Sequence, residues 1–237
     1  PQGTVVVHWA RRLLDEAHRL LDVADGLRAE RSAELTIGAS MTVAEHLLPG
    51  WLGRFRGLDA DVTIHLQVLN STQVFERLES GACDVGFVES PTLPRSLHSV
   101  TVARDELVVV VHPGHPWTRR RKPITVAELA QTPLVVREPG SGTRTTLDVA
   151  LQDLPRTPPL LELGSAAAIR TSIIAGVGPA VMSTLAVADQ VAAGELKVVD
   201  VDGLVLERSL RAVWRGPRQL SGPAGDLVRM VRRSGVG

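Results

Sequence analysis

Apolar residues recur at alternating steps of four and three from Val6 through Ala10, Leu13, Ala17, Leu20 and Ala24 to Leu27. That is the a/d seam of a coiled-coil helix. Leu14 and Leu21 widen the seam, while Arg11, Arg12, Asp15, Glu16, Arg19 and Asp22 fill other faces. The spacing predicts a helix over 4–30, ~40 Å long at 1.5 Å per residue. So long a stripe needs a partner. A second copy of the chain is the economical one, with packing on its own domain as the alternative.

From Glu34 the pattern changes. ELTIGAS (34–40) reads as a strand ending in a glycine turn, and 42–57 as an amphipathic helix bent or shifted at Pro49. A strand over 60–69, a helix over 72–81 closed by Gly81 and a strand over 83–89 come next. Strand and helix in alternation at this spacing predict a parallel sheet with right-handed crossovers. Residues 97–113 read as two strand segments about Arg104-Asp105. A second α/β set comes after them, with helices at 125–131, 143–151, 165–176 and 185–194 between strands at 133–138, 159–164, 178–183 and 195–201. A strand over 209–216 and a helix over 221–235 complete the chain, Pro223 suiting the first turn of that helix. The chain is expected to enter its second unit near 105 and leave it near 200, which would create a hinge and a cleft.

Composition narrows the possibilities. A chain of 237 residues can build its cores without disulfides, and the lone Cys83 has no partner for one. No apolar run reaches the ~18 residues of a membrane span, and the opening residues lack a secretory pattern, so a cytoplasmic location is expected. Lys plus Arg equals Asp plus Glu at 26 each, which leaves no overall footprint for nucleic acid. The exception is RRRK at 119–122, read as a solvated loop with phosphate contact as the alternative.

Candidate chemistry sits at four strand-to-helix turns: Ser40 with Thr42, Asn70-Ser71-Thr72, Ser141-Gly142-Thr143 within REPGSGTR, and Gly164-Ser165. Each sets a hydroxyl where helical N–H groups lack partners. Helix capping explains any one of them, and Thr42 with Glu45 fits a capping box. Taken together, two turns from each unit suit a site where donors and positive helix ends meet an anion. Ser40, Thr42, Ser71, Thr72, Ser141, Gly142, Thr143 and Ser165 are therefore the candidate ligand-binding residues. Arg144 either adds charge or pairs with Glu138, and Asn70 holds its turn, with left-handed geometry open to it.

Other features point away from chemistry. His112 and His115 flank a Pro-Gly turn with no carboxylate cluster beside them, so no metal is expected. Cys83 reads as a small packed hydrophobe, and Asp84 as fixing the turn after Gly81. Gly176-Val177-Gly178 follows a helix and opens a strand, the reverse of a dinucleotide fingerprint. Neither a nucleophile elbow nor a phosphate-binding loop is present, so no catalytic residue and no cofactor is expected.

The stretches LTIGAS, LLPGWLGRF, LESGACDVGFVE, DELVVVVHPGHPW, AAIRTSIIAGVGPAVMS and LERSLRAVW, in that order, resemble the effector-binding half of LysR-type transcriptional regulators. REPGSGTR and LELGSAAAIR resemble the branch that includes regulators of sulfur assimilation and carbon fixation. The resemblance implies an α/β fold of two Rossmann-like lobes joined by crossover strands, of the type II periplasmic-binding-protein kind, behind a linker helix. It divides the chain into a linker and dimerisation helix (1–32), a first lobe (33–104 with 201–237) and a second (105–200). It implies an effector between the lobes: a small anion such as a sulfur oxyanion, a phosphorylated sugar or a carboxylate. A homodimer or homotetramer would contact DNA only through a head domain lying outside this chain, with no membrane partner, and a fragment of a longer regulator is the favoured reading. The rivals are a solute-binding protein for a transporter, an enzyme on a similar frame, and a ligand-independent dimerising fragment.

Overall fold

The computed structural model describes residues 34–57 and 62–234. The helix expected over 4–30 lies outside the described residues. Strand β1 (Glu34–Ser40) carries the alternation of ELTIGAS into a parallel pairing with β2 (Thr63–Leu69) on one side and β3 (Val85–Val88) on the other. Between them run helices α1 (Met41–His46), α2 (Leu48–Arg56) and α3 (Ser71–Glu79). One helix is expected over 42–57, but the segment divides at Leu47 and Pro49 takes a first-turn position of α2. A proline there costs little, because that N–H has no helical partner in any case.

Strand β4 (His98–Val111) runs unbroken for 14 residues, a correction to the two segments expected about Arg104-Asp105. It pairs antiparallel with β11 (Leu206–Trp214), which begins three residues earlier than the expected start at 209. The reason lies in the register: Asp105 faces Arg208 directly, so the polar pair that looks like an interruption in one dimension is a neutralised rung in three. The irregularity falls instead where the register shifts between Leu210 and Arg211.

Beyond β4 the second set folds as a strand and helix series: β5 (Ile124–Thr125), α4 (Val126–Ala130), β6 (Val135–Arg137), α5 (Gly142–Ala150), β7 (Leu161–Leu163), α6 (Ala166–Ile174), β8 (Ala180–Ser183), α7 (Thr184–Ala192) and β9 (Lys197–Val199). The strand expected over 195–201 splits into β9 and β10 (Val201–Asp202), which pairs with β5. Helix α8 (Gly222–Ser234) closes the described chain.

The sheet order is β2-β1-β3-β11-β4-β8-β6-β7, with β9 also on β4. Parallel pairs lie at both ends and the long antiparallel pair β4–β11 lies between them, giving a two-lobed α/β fold joined by crossover strands. Apolar packing divides in the same way. One core gathers Ile37, Phe55, Phe87 and Leu227, and two others gather Leu129, Val136 and Leu151, and Ile169, Ile173 and Met182. Parallel strands covered on both faces explain why β3, β6 and β8 are buried along their whole length.

Candidate functional site

A chain with 26 Lys and Arg against 26 Asp and Glu has no reason to bury charge unless the charges meet partners. Among the described residues the buried polar ones are Ser40, Thr42, Ser71, Glu89, Ser90, Asp105, Arg137, Ser141, Thr143, Thr146, Ser183 and Arg208. Most come from strand ends and helix starts on the two sides of the β4–β11 pair, and Asp105 and Arg208 from the pair itself, where open α/β sheets present their ligand crevice.

Arg208 stands at the centre. Its Nε donates to Asp105 Oδ2 at 2.7 Å and its Nη2 lies 2.6 Å from the same oxygen. Nη2 also donates to Thr42 Oγ1 at 3.2 Å, and Nη1 to Thr143 Oγ1 at 3.0 Å. One guanidinium thus ties the α1 turn of the first lobe to the α5 turn of the second. Ser183 Oγ donates to the other Asp105 oxygen at 2.8 Å.

Glu89, just after β3, is the second acid. Its Oε1 accepts from Thr42 Oγ1 at 3.3 Å and lies 3.8 Å from Arg208 Nη1, and its Oε2 accepts a very close hydrogen bond from Ser40 Oγ. Burial pushes the Glu89 carboxyl above the usual carboxylate range, and the guanidiniums of Arg208 and Arg137 with the Thr42 hydroxyl only partly offset it. Asp105 holds the cation closely, and Glu89 is left mainly with neutral hydroxyls.

Thr42 and Thr143 therefore share a centre. Gly142 is in the same place: a Cβ on it would come within 2.5 Å of Glu89 Cγ and 2.8 Å of its carbonyl carbon. Ser71 and Thr72 reach the second lobe by another route, with the Thr72 N–H donating to the Gly140 carbonyl at 3.3 Å. Gly140 has φ of 87°, and a Cβ there would meet Thr72 Oγ1 at 3.0 Å. Ser71 Oγ is buried without a hydrogen-bond partner among the described residues. Ser141 Oγ accepts from the Arg144 N–H at 3.5 Å as the cap of α5, and Ser165 Oγ from the Ala168 N–H at 3.4 Å as the cap of α6. Ser165 is half-buried and has no hydrogen bond to the Arg208 centre, although its neighbour Ala166 lines the adjoining cavity. That cavity has room for about one water molecule. Its polar wall is Thr42, Arg137, Thr143 and Ser183, and its apolar wall includes Ile169, Met182 and Ala186.

Several local expectations need correction. Thr42 and Glu45 form no capping box: α1 is capped at Ser40, whose side chain makes no cap bond, because both hydroxyls turn to Glu89. The capping box is at Asn70 and Gln73, and Asn70 holds its turn at φ of −91°, outside the left-handed region. Arg144 pairs with Asp148 at 3.0 Å and lies 3.6 Å from Glu162, while Glu138 is held by Arg137 through bonds of 2.8 and 3.0 Å. Asp84 reaches further than its own turn and accepts the Thr36 N–H of β1 at 2.8 Å. Cys83 is buried beside β1, and burial pushes its thiol upward. His112 and His115 each accept a backbone N–H inside their turn. The 119–122 run is exposed, with Arg120 paired to Glu128. Among the described residues no group of three His, Cys, Asp or Glu side chains gathers to hold a metal.

The centre itself, Arg208 with Asp105 and Glu89, is absent from the sequence-based candidates. One signal for it exists. Asp105 falls on the inward parity of β4 with Leu107 and Val109, and Arg208 on that of β11 with Leu206 and Leu210. A charge on the buried face of each of two strands asks for a partner, but only the register shows that the two are partners of each other.

Comparison with known proteins agrees with this architecture. The HTH-type transcriptional regulator Rv2282c of Mycobacterium tuberculosis is 46% identical over 237 residues, covering 96% of this chain and 75% of that protein. The HTH-type transcriptional regulator CbbR of Xanthobacter flavus is 32% identical over 228 residues, covering 95% of this chain and 67% of that one. Among solved structures, the CcmR regulatory domain of Synechocystis matches with a TM-score of 0.75 at 24% identity, covering 86% of this chain and 98% of that one. Residues 28–235 match the LysR substrate binding domain, and the chain accordingly belongs to that family, as the ligand-sensing portion of a LysR-type regulator.

Proposed function

We propose that this domain senses a small anionic metabolite between its lobes and passes the state of that cleft to a separate DNA-binding head. The observation that carries the reading is the meeting of Thr42 and Thr143, from opposite lobes, on the single guanidinium of Arg208. Ser71 supports it, because a buried hydroxyl with no partner is costly unless something else completes it. The proposed effector site comprises Ser40, Thr42, Ser71, Thr72, Ser141, Gly142, Thr143 and, at its edge, Ser165. The lobes would be those the chain enters near 105 and leaves near 200, and residues 1–32 would form the dimerisation helix of a homodimer or homotetramer. Domains of this fold are described in complex with 2-PG, with shikimate and with sulfate.

In this reading the β4–β11 pair is the hinge, and a guest that contacts both lobes favours one arrangement of them over another. Only a guest with different affinities for the two arrangements shifts the population. Thermal-shift measurements on the 237-residue chain test it, with sulfate, thiosulfate, phosphorylated sugars and carboxylates at constant ionic strength. Stabilisation by one class of anion, lost in Thr143→Val, is the expected outcome. If no anion raises the melting temperature, the chain is a dimerising module without an effector.

A further inference from the structure

The hydroxyl protons around Glu89 are spent on it. Ser40 Oγ donates to Oε2 and Thr42 Oγ1 to Oε1. Thr42 Oγ1 also accepts from Arg208 Nη2 at 3.2 Å, and Thr42 lines the cavity beside Arg137, Thr143 and Ser183. A proton on either oxygen of Glu89 reverses one of these bonds, because the carboxyl then donates and the hydroxyl accepts. One hydroxyl proton is thereby released beside the cavity wall. It adds to the first N–H groups of α5 and α6, near Thr143 and Ala166, which have no helical partner.

Charge acts in the same direction. Among the described residues the centre holds two cations, Arg208 and Arg137, against three acids, Asp105, Glu138 and Glu89. With Glu89 ionised it carries one net negative charge, and with Glu89 protonated it is neutral. An anion touching Thr42 sits one hydroxyl beyond the carboxyl, roughly 6 Å away, where two like charges at an effective dielectric constant of ~20 oppose each other by a factor of up to about 100. Ser40, Thr42 and Glu89 all belong to the β1, α1 and β3 segment, so this spacing does not depend on how far the lobes part.

The charged groups that face Glu89 are all in that count. Arg208 comes from β11, Arg137 from β6 and Asp105 from β4, while the start of α5 presents only the backbone at Gly142. Other titratable groups on these elements turn elsewhere. Glu45 and His46 of α1 lie 3.7 Å from each other, and Arg144 of α5 pairs with Asp148. Arg211 donates to the Ser90 carbonyl at 3.1 Å, and Arg104, Glu106, Glu207 and the charged groups of α3 are exposed. Burial holds the Glu89 carboxyl above the usual carboxylate range, and a second negative charge nearby pushes it further the same way.

Resting on the reading of the cleft as an anion sensor, we propose that the guest binds together with a proton and that Glu89 is the group that holds it. The domain then responds to an anion and to acidity jointly. For each anion bound, a proton passes from solvent to a Glu89 oxygen, and no other bond is made or broken beyond the exchange of hydrogen bonds.

The test compares the 237-residue chain with Glu89→Gln, in which a neutral amide stands in for the protonated carboxyl. The probes are sulfate, thiosulfate, glucose 6-phosphate and shikimate at constant ionic strength, with affinity read by calorimetry from about pH 4.5 to about pH 8, above the ordinary glutamate value. Wild-type affinity for the probe that binds is expected to be flat in acid, to fall by up to about tenfold per pH unit as the free cleft loses the Glu89 proton, and to level off once the occupied cleft loses it too. In that window a pH-stat should record uptake approaching about one proton per anion. Glu89→Gln is expected to bind at the wild-type acid limit throughout and to take up nothing beyond what the probe's own ionisation supplies. Should the variant fail to fold, an infrared difference spectrum of the wild type decides: adding the probe should bring up the band of a protonated carboxyl, which a titrating histidine does not produce. Wild-type affinity independent of pH, no carboxyl band, or a pH slope retained in Glu89→Gln overturns the proton coupling and leaves the anion sensor standing. Silence from every probe overturns both.

Discussion

Replacing Arg208 by Met tests the interlobe centre most directly. The guanidinium is nearly excluded from solvent, touches Asp105 at 2.6 and 2.7 Å, donates to hydroxyls on both lobes and stands 3.8 Å from Glu89. Removing one member of a buried ion pair costs ~3–5 kcal/mol, because the survivor keeps its desolvation penalty without its partner. Arg208→Met strands two acids and belongs at the upper end, about 5 kcal/mol. Asp105→Asn leaves the guanidinium its hydroxyls and Glu89 and belongs at the lower end, about 3 kcal/mol. For a domain of this size each kcal/mol moves the melting temperature by about 2–4 °C, so drops of roughly 10–20 and 6–12 °C are expected. Urea unfolding followed by the fluorescence of buried Trp51, Trp117 and Trp214 gives the free energies. The double variant Arg208→Met with Asp105→Leu removes both charges, and its cost should fall below the sum of the singles by more than about 1 kcal/mol, the signature of coupled sites. Additive effects, or single costs under about 1 kcal/mol, would refute the account of Arg208 as the tie between the lobes.

The same contacts set further outcomes. Glu89 titrates above its unfolded value, so the folded protein holds a proton there that the unfolded chain releases first. That contribution to stability is complete below the unfolded carboxylate range and is lost as pH rises toward the folded value. Glu89→Gln should therefore match wild type in acid and gain on it progressively as pH rises, read from melting temperatures against pH. Gly142→Ala should cost about 1–3 kcal/mol by overpacking, since the new Cβ meets Glu89 including its backbone. Gly50→Ala, in α2 with nothing within 4 Å of the added Cβ, should gain about 0.5–1 kcal/mol, so a helix-propensity account that treats both glycines alike fails if the signs differ. Ser71→Ala removes a buried hydroxyl that has no partner among the described residues and should be neutral or stabilising in urea melts. The same substitution should weaken whatever anion the cleft binds, a combination that a purely structural serine would not produce.

The order of strands and helices was legible in the chain because each is written by a local period. ELTIGAS became β1 over the same residues, and 165–176 contains α6. The glycines at 81, 176 and 194 mark positive-φ turns after helices, as their positions after periodic runs suggest. The family resemblance drew on the same information, since motif order survives in one dimension. Hydroxyls at helix starts were likewise visible, because an N-cap is a relation between near neighbours. What each hydroxyl faces was not. Thr42 and Glu45 satisfy a capping pattern, yet Thr42 faces Glu89 and Arg208, at separations of 47 and 166 residues. Asp105 and Arg208 look like polar breaks in two apolar strands, and only the β4–β11 register, 103 residues apart, makes them a pair. A local pattern specifies which conformation a segment prefers, because its energies come from groups a few residues apart. The charge balance of the cleft arises from contacts between segments that meet only when the lobes close around the crossover strands, and tertiary structure alone decides it.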